Sequence, residues 1–531
     1  MLTRRTVLAA SAASPFVITA RRSQAATPKD VAVMASQIDD VVNGFDPADS
    51  YEGTNNEADA NIYRRLVSPD PADHTKVVGD LAQSWTVSPD GTTFTFKLKD
   101  NAVFASGKTL TADDAAFSLQ RVVKLNKTPG FIITQFGFTK DNVDQLVRAT
   151  DTHTLEVKLP DAVAPSFFLF CLSANVGSVV EKATVLAHEQ NGDLGSTWLK
   201  TNSAGAGPYQ LTSWSASDHV ILDVNPHSGI PVHMKKIIIR HVADPSAQLL
   251  LLQKGDADIA RSLTPDQLRE VAKNEAYHIT ASGQGTSMYI AMNEALPQFQ
   301  KPQVRQAVKW AIDYDAIAKN ITPNIWKVAQ GFLPPGLPGA LTDAPFHQDV
   351  DKAKALLAEA GEQDGFTVTL DYNSQPPTSD IAQAVQADLA KIGIKVNLSG
   401  GENKQVVTKT RARQHQMAML SWGTDYFDPN SNAQAFCADP DDSDTSKLKI
   451  LAWRSHFQDK ELTEMVDQAV KELDSAKRIA MYVKMQRLSQ ERSPFAMMLQ
   501  QIATAVLGKG VSGFTIGPIS DYTKYADIKK A

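Results

Sequence analysis

Cysteine is almost missing from this chain: Cys171 and Cys437 are the only two in 531 residues. Disulfides therefore cannot frame the fold, even in an oxidising compartment. Cys171 lies in the apolar run SFFLFCL and Cys437 follows Phe436, so two buried free thiols are expected rather than a bridge. An excess of basic charge is missing too. Lys and Arg number 53 against 59 Asp and Glu, a formal net charge of −6, and an acidic chain without a basic patch is a poor partner for nucleic acid or an anionic membrane. The eleven histidines are scattered without a His-x-x-x-His or His-x-His pair, and Gly-x-Ser-x-Gly does not occur. Nothing local argues for a metal, a cofactor or nucleophilic catalysis.

Three fragments resemble chemical motifs and fail on spacing. Ser106-Gly107-Lys108-Thr109 has the end of a phosphate-binding loop, but Ala102 stands where the first glycine belongs; a turn is expected. Gly283-Gln284-Gly285 lacks the third glycine of a dinucleotide fingerprint and precedes a strand rather than following one. The acidic run Asp439 to Asp444 has no glycine in the sixth place of a calcium loop, and Ile450 stands where the bidentate acid belongs. It reads as a solvated loop.

The N-terminus carries more information. Arg4 and Arg5 precede an apolar and small-residue run from Val7 to Ala20 and then small residues at Ala25 and Ala26, the layout of an export signal close to the twin-arginine pattern. The run falls short of the roughly 20 residues needed to span a bilayer and is broken by Pro15. Residues 1–26 are expected to be a cleaved signal directing the chain to the periplasm. Setting them aside removes four arginines and no acids, which takes the formal charge from −6 to −10. With 43% apolar residues and this length, two or three packed lobes are expected.

Strand and helix signals alternate along the remainder, which gives an α/β class. Thr93 to Lys99 puts Phe94, Phe96 and Leu98 on one face after the turn Pro89-Asp90-Gly91. Strands also read at His153 to Leu159, His219 to Val224 and Lys236 to Val242. Thr111-Ala-Asp-Asp114 is a capping box opening a helix to Val123, Pro302 opens another to Ile312, and Val350 to Ala360 is closed by Gly361. Thr367 to Tyr372, Asp380 to Lys391 and Ile394 to Leu398 read as a right-handed strand-helix-strand unit. Long helices are expected near Lys460 to Glu491.

Several segments together resemble one family, the extracellular solute-binding proteins of family 5, the dipeptide, oligopeptide and nickel type of ABC transporters. Gly79 to Val123 carries the most specific match: Leu81-Ala82-x-x-Trp85, Asp90-Gly91, Phe94-x-Phe96-x-Leu98, Phe104-x-x-Gly107 and Thr111-Ala112-x-Asp114. Others are Phe45-Asp46-Pro47, Gly205 to Tyr209, Gly255 to Ile259, Val304 to Val308 with Ala311 to Asp313, and Trp422 to Pro429. The resemblance implies a two-lobed periplasmic binding protein fold (type II, cluster C-like) with mixed sheets, a hinge and an inserted domain. It implies lobe I from residues 27–65, 190–288 and 500–531, an inserted domain at 66–189, and lobe II at 289–499. Hinge crossings are expected near Met288 to Asn293 and Pro494 to Gln500. The implied role is capture of a peptide or related small amino compound between the lobes, by a monomer without catalysis, for an ABC transporter membrane permease. A secreted enzyme with dispersed catalytic residues, or a sensor or chaperone on the same fold, stays open as an alternative.

Within Leu420 to Asn430, LSWGTDYFDPN, the resemblance implies that Asp425 meets a ligand ammonium, with Trp422 and Tyr426 supplying aromatic faces. Asp428, before Pro429, is expected to be a turn acid. Tyr51, Glu52, Thr54 and Asn55 are expected in the facing wall. The stretch Asp371 to Thr378, DYNSQPPT, lacks the arginine that clamps a dipeptide carboxylate in this family; either another cation, Arg411 or Arg413, replaces it or backbone contacts do so as for longer ligands, and a substrate other than a dipeptide is favoured. His415, near the cleft segment, gives only weak support for nickel ligation.

The export reading has a direct check. Replacing Arg4 and Arg5 with Lys should leave full-length precursor in the cytoplasm on fractionation; normal periplasmic yield would remove the twin-arginine route.

Overall fold

The computed structural model describes residues 27–531, so the proposed export signal lies outside the described residues. Its backbone is one eleven-stranded mixed sheet with an attached four-stranded sheet. In the large sheet, Val31–Ser36 runs parallel to Lys236–His241 and to Ile259–Ala260. At its other end Thr367–Asn373 runs parallel to Lys395–Gly401 and Met417–Gly423. Between these ends lie two long antiparallel strands, His278–Met292 and Phe495–Leu507, which belong to both halves. Their pairing is interrupted between Gly283 and Ser287. That break lies ahead of the expected Met288 to Asn293 crossing, whose residues through Met292 are already fixed in the second half by pairing to Met417–Ser421.

The second glycine of this break, Gly285, is a packing requirement. A Cβ on Gly285 would stand 2.9 Å from the Ile519 side chain and 3.1 Å from Thr424 Cβ, so one lobe's strand passes too close to its neighbours for a larger residue. Gln500 bridges the break by donating from Nε2 to the carbonyls of Gln284 at 2.8 Å and Pro335 at 2.7 Å.

The four-stranded sheet is antiparallel, in the order Ala82–Val87, Thr93–Leu98, Thr154–Lys158, Val147–Asp151. The alternation read in Thr93–Leu98 puts Phe94, Phe96 and Leu98 inside and Lys97 outside. Each buried side chain of this kind contributes roughly 1.5–3 kcal/mol relative to exposure. The helix Ala112–Leu125 packs on it, opened by the expected capping box: Asp114 Oδ2 accepts from Thr111 N at 3.0 Å and from Thr111 Oγ1 at 2.7 Å. Ser106 to Thr109 forms a turn closed by a bridge between Val103 and Thr109. Both cysteines are buried and free, Cys171 on the helix Pro165–Ser173.

Two acids written next to proline are structural anchors. Asp46, from Phe45-Asp46-Pro47, takes both Nη atoms of Arg121 at 2.7 Å and the Ser196 hydroxyl at 2.6 Å, fully buried. Asp428 is the turn acid expected, its Oδ1 accepting from Asn430 N at 2.9 Å, but it is 0% exposed and also accepts from Arg478 Nη1 at 2.7 Å and Nη2 at 2.6 Å. The signal missed was fifty residues away on another helix, Ser475–Arg492. Arg478 also reaches the helix Pro165–Ser173, donating to Ser166 Oγ at 3.2 Å with its guanidinium 5.6 Å from the Phe167 ring centre.

Removing one partner of such a pair leaves a buried charge without compensation. Asp428→Asn should therefore lower unfolding stability by about 3–5 kcal/mol in chemical denaturation at pH 7. A loss under about 1 kcal/mol, the value of an exposed pair, would contradict this placement.

Candidate functional site

A cleft of about 750 Å³ lies between the lobes, at the level where the two long strands lose register. That size is typical of a ligand site, roughly 300–1,000 Å³. Its second-lobe wall is built by the strand Met417–Gly423, which pairs along its length with Thr286–Met292. The chain then leaves the sheet. Thr424 pins the turn by donating its N–H and its hydroxyl to the Gly285 carbonyl, each at 2.8 Å. Asp425 follows, with its N–H on Ser431 Oγ at 3.0 Å, and three residues later the Asp428 pair locks the far end. The Asp425 carboxylate is thus held between two fixed points.

From the opposite wall, Tyr51 Oη donates to Asp425 Oδ1, a hydrogen bond across the cleft. Asp425 is half-buried, surrounded by protein deep in the cleft while its carboxylate still touches cleft solvent. Burial pushes its pKa up to about 6, against the lowering effect of the Tyr51 hydrogen bond. Among the described residues no Lys, Arg or His forms an ion pair with it. Tyr51 is itself pushed upward, first by burial and then by the Asp425 charge.

Two guanidinium groups complete the electrostatics. Arg411, the last residue of the helix Asn403–Arg411, lines the cleft and makes no hydrogen bond or ion pair with another protein group among the described residues. Arg454, on the short helix Leu451–Arg454, also lines it, and among the described residues its side chain donates only to the Lys449 carbonyl, at 3.2 Å. Its pKa is lowered, by burial first, with the like charge of Arg411 acting in the same direction. The cleft is therefore bipolar, with an acid lacking a counter-ion and two cations lacking one.

The structure sorts the expected residues. Tyr51, Arg411, Trp422 and Asp425 line the cleft. Trp422 packs edge-on against Phe436, ring centres 6.4 Å apart. Tyr426 borders the cleft, but its ring is 1% exposed and sits in the first lobe's core 5.8 Å from Phe167, so it offers no free face to a cation. Arg413 is turned away, held by Asp442 and stacked 4.2 Å from the Trp453 ring centre. The acidic run is therefore only partly a solvated loop, since Asp442 ties Arg413 and Asp439 is buried. Behind Tyr51 the facing wall is the start of a helix, Gly53–Ile62, with Glu52 as its N-cap. Glu52 accepts from Asn55 Nδ2 at 2.9 Å, Asn55 is fully buried against the Gly44 carbonyl, and Thr54 faces a separate smaller cavity. None of the three lines the main cleft, although Gly53 and Asn56 do. Residues 371–378 do not line it, and Asp371 is spent on Lys409 at 2.7 Å. His415 is buried behind the wall and pushed down to about 4 by burial, hence neutral. Sequence reading missed Arg454, Gln284, Asn175 and Gln434, which no local pattern marks.

Comparison with known proteins supplies the context. The model of the family described as bacterial extracellular solute-binding proteins, family 5 (middle), matches residues 76–444. The chain is similar to a probable D,D-dipeptide-binding periplasmic protein of Escherichia coli, 27% identical across 97% of this chain and 96% of that one. It is also similar to di/tripeptide-binding protein 2 of Pseudomonas aeruginosa, 28% identical across 93% and 94%. In fold it is similar to a periplasmic binding protein of Helicobacter pylori solved with the peptide STSA, with a TM-score of 0.76 and 24% identity over 94% of this chain and 98% of that one.

An acid whose folded pKa lies above its ordinary value of about 3.9 favours the protonated state, so stability declines as pH rises from there through about 6. Without ligand, Asp425→Asn should melt higher than wild type at pH 7, and the difference should shrink as pH falls from 6 to 4. An unchanged or lowered melting temperature at pH 7 would show that the ionised carboxylate carries no such cost.

Proposed function

Because the chain belongs to the family 5 bacterial extracellular solute-binding proteins, we propose that it captures a zwitterionic peptide or a related small amino compound between its lobes. The protein is a periplasmic substrate-binding component of an ABC transporter, and its partner is the membrane permease. Peptide binding by its relatives, as their names state it, supports the ligand class. Export through the twin-arginine route rests on Arg4 and Arg5 alone. The lobes are taken as 27–65 with 190–288 and 500–531, carrying the insert 66–189, against 289–499.

One observation carries the reading: Asp425, fixed at both ends of its turn, meets the opposite wall through Tyr51 yet has no cationic partner among the described residues. A ligand ammonium would supply that partner, pull the carboxyl back toward its ionised form and hold the lobes together, because only the closed arrangement contacts the ligand from both sides. Trp422 stands beside it as an aromatic wall. The ligand carboxylate is assigned to Arg411 and Arg454, in place of the arginine absent from DYNSQPPT. The pair is mutually repulsive, and an anion between the two relieves that repulsion.

Calorimetry with Ala-Ala-Ala and its N-acetylated form tests this. The free amine should bind, and acetylation or Asp425→Asn should each cost roughly 2–5 kcal/mol, about 30-fold to several thousand-fold in affinity. Equal affinity for the acetylated peptide would remove the ammonium assignment. Affinity of the free amine should also fall as pH drops below about 6, where Asp425 protonates.

A further inference from the structure

A second cavity of about 200 Å³ lies in the first lobe beside the main cleft, and the two share Gly53 and Ser520 in their walls. Two hundred cubic ångströms is below the range of a stand-alone ligand site, roughly 300–1,000 Å³, so its use depends on the neighbouring cleft. It sits at the C-terminal ends of the parallel strands Val31–Ser36 and Lys236–His241, where open α/β sheets place their ligands.

The boundary between the cavities is thin. Gly53 has no side chain, and a Cβ there would lie 3.4 Å from Ser520 Oγ and 3.5 Å from Asp40 Oδ2. One glycine and one serine hydroxyl thus separate the main cleft from the Asp40 carboxylate.

The charges inside have one sign to spare. Glu57 and Arg261 neutralise each other through two bonds, at 2.7 and 3.1 Å, and the Tyr525 hydroxyl donates to Glu57 at 2.7 Å. Asp40 has no ion-pair partner among the described residues. Its Oδ2 accepts from Thr54 N at 3.0 Å, and Oδ1 makes no hydrogen bond.

We propose that this chamber is a subsite for a cationic tail of the ligand, an ammonium or guanidinium group that passes Gly53 and Ser520 and pairs with Asp40. The inference rests on the peptide reading above and extends it from the ligand's α-ammonium to a side chain farther along. Asp40 is exposed, so the preference it confers is modest, about fivefold.

The test has two arms. In calorimetry, Ala-Ala-Lys should bind about fivefold more tightly than Ala-Ala-Ala, with Ala-Ala-Glu weaker than both. Asp40→Asn, which keeps an acceptor for Thr54 N, should abolish the lysine preference and leave Ala-Ala-Ala unchanged. Gly53→Leu, at a position without positive φ, should remove the preference by filling the boundary. Equal binding of the three peptides, or a lysine preference that survives in Asp40→Asn, overturns the proposal. In the second arm, crystals of the protein and of Asp40→Asn are soaked in butylammonium chloride. An ammonium group at Asp40 in the wild type alone supports the subsite even if no peptide binds, a result that would count against the peptide reading only. No butylammonium at Asp40 together with no peptide binding overturns both.

Discussion

Everything in this molecule hangs on one antiparallel pair, His278–Met292 with Phe495–Leu507, because among the described residues these strands alone are hydrogen-bonded into both halves of the large sheet. On one side of Gly283 the pair is flanked by the sheet of Val31–Ser36, and beyond Ser287 by the sheet of Met417–Gly423. At the break the ladder is missing and side chains such as Gln500 take its place. A stretch with fewer backbone hydrogen bonds is where a sheet opens most cheaply. The cleft lies at that level, so the strands that join the lobes also place the ligand wall.

The acids around the cleft show how environment decides a role that residue type leaves open. Asp46 and Asp428 each have a bidentate arginine and no solvent; they fasten elements together and have nothing left to offer a ligand. Asp425 lies three residues from Asp428 and has only a tyrosine hydroxyl. Burial raises its pKa, so keeping the carboxylate ionised there costs stability. Residues held at such a cost are where function is sought, since stability alone would have paired or removed them.

Regular elements were legible because their signals are local. The alternation in Thr93–Leu98, the capping box at Thr111 and the strand-helix-strand unit from Thr367 to Gly401 all stand within three residues of the positions read from sequence. The helix Gly53–Ile62 was not legible, because its buried face carries Asn55, Glu57, Asp59 and Asn61, and no apolar stripe marks it. Charged residues of the site were half legible. Arg411 and Arg413 look alike in sequence, and only the fold shows that Asp442 occupies one of them. Arg454 reaches the cleft from a four-residue helix that no pattern connects to it.

In the proposed binding mode the cleft orients a zwitterion, ammonium toward Asp425 and carboxylate toward Arg411 and Arg454. The most direct measurement is a crystal structure of the protein purified from its native periplasm with its retained ligand, whose composition is fixed by mass spectrometry. A ligand amine nitrogen should lie within hydrogen-bond distance of the Asp425 carboxylate, with an anionic group against at least one of the two guanidinium groups. A retained ligand without a cationic nitrogen, or one bound with its amine away from Asp425, would contradict it.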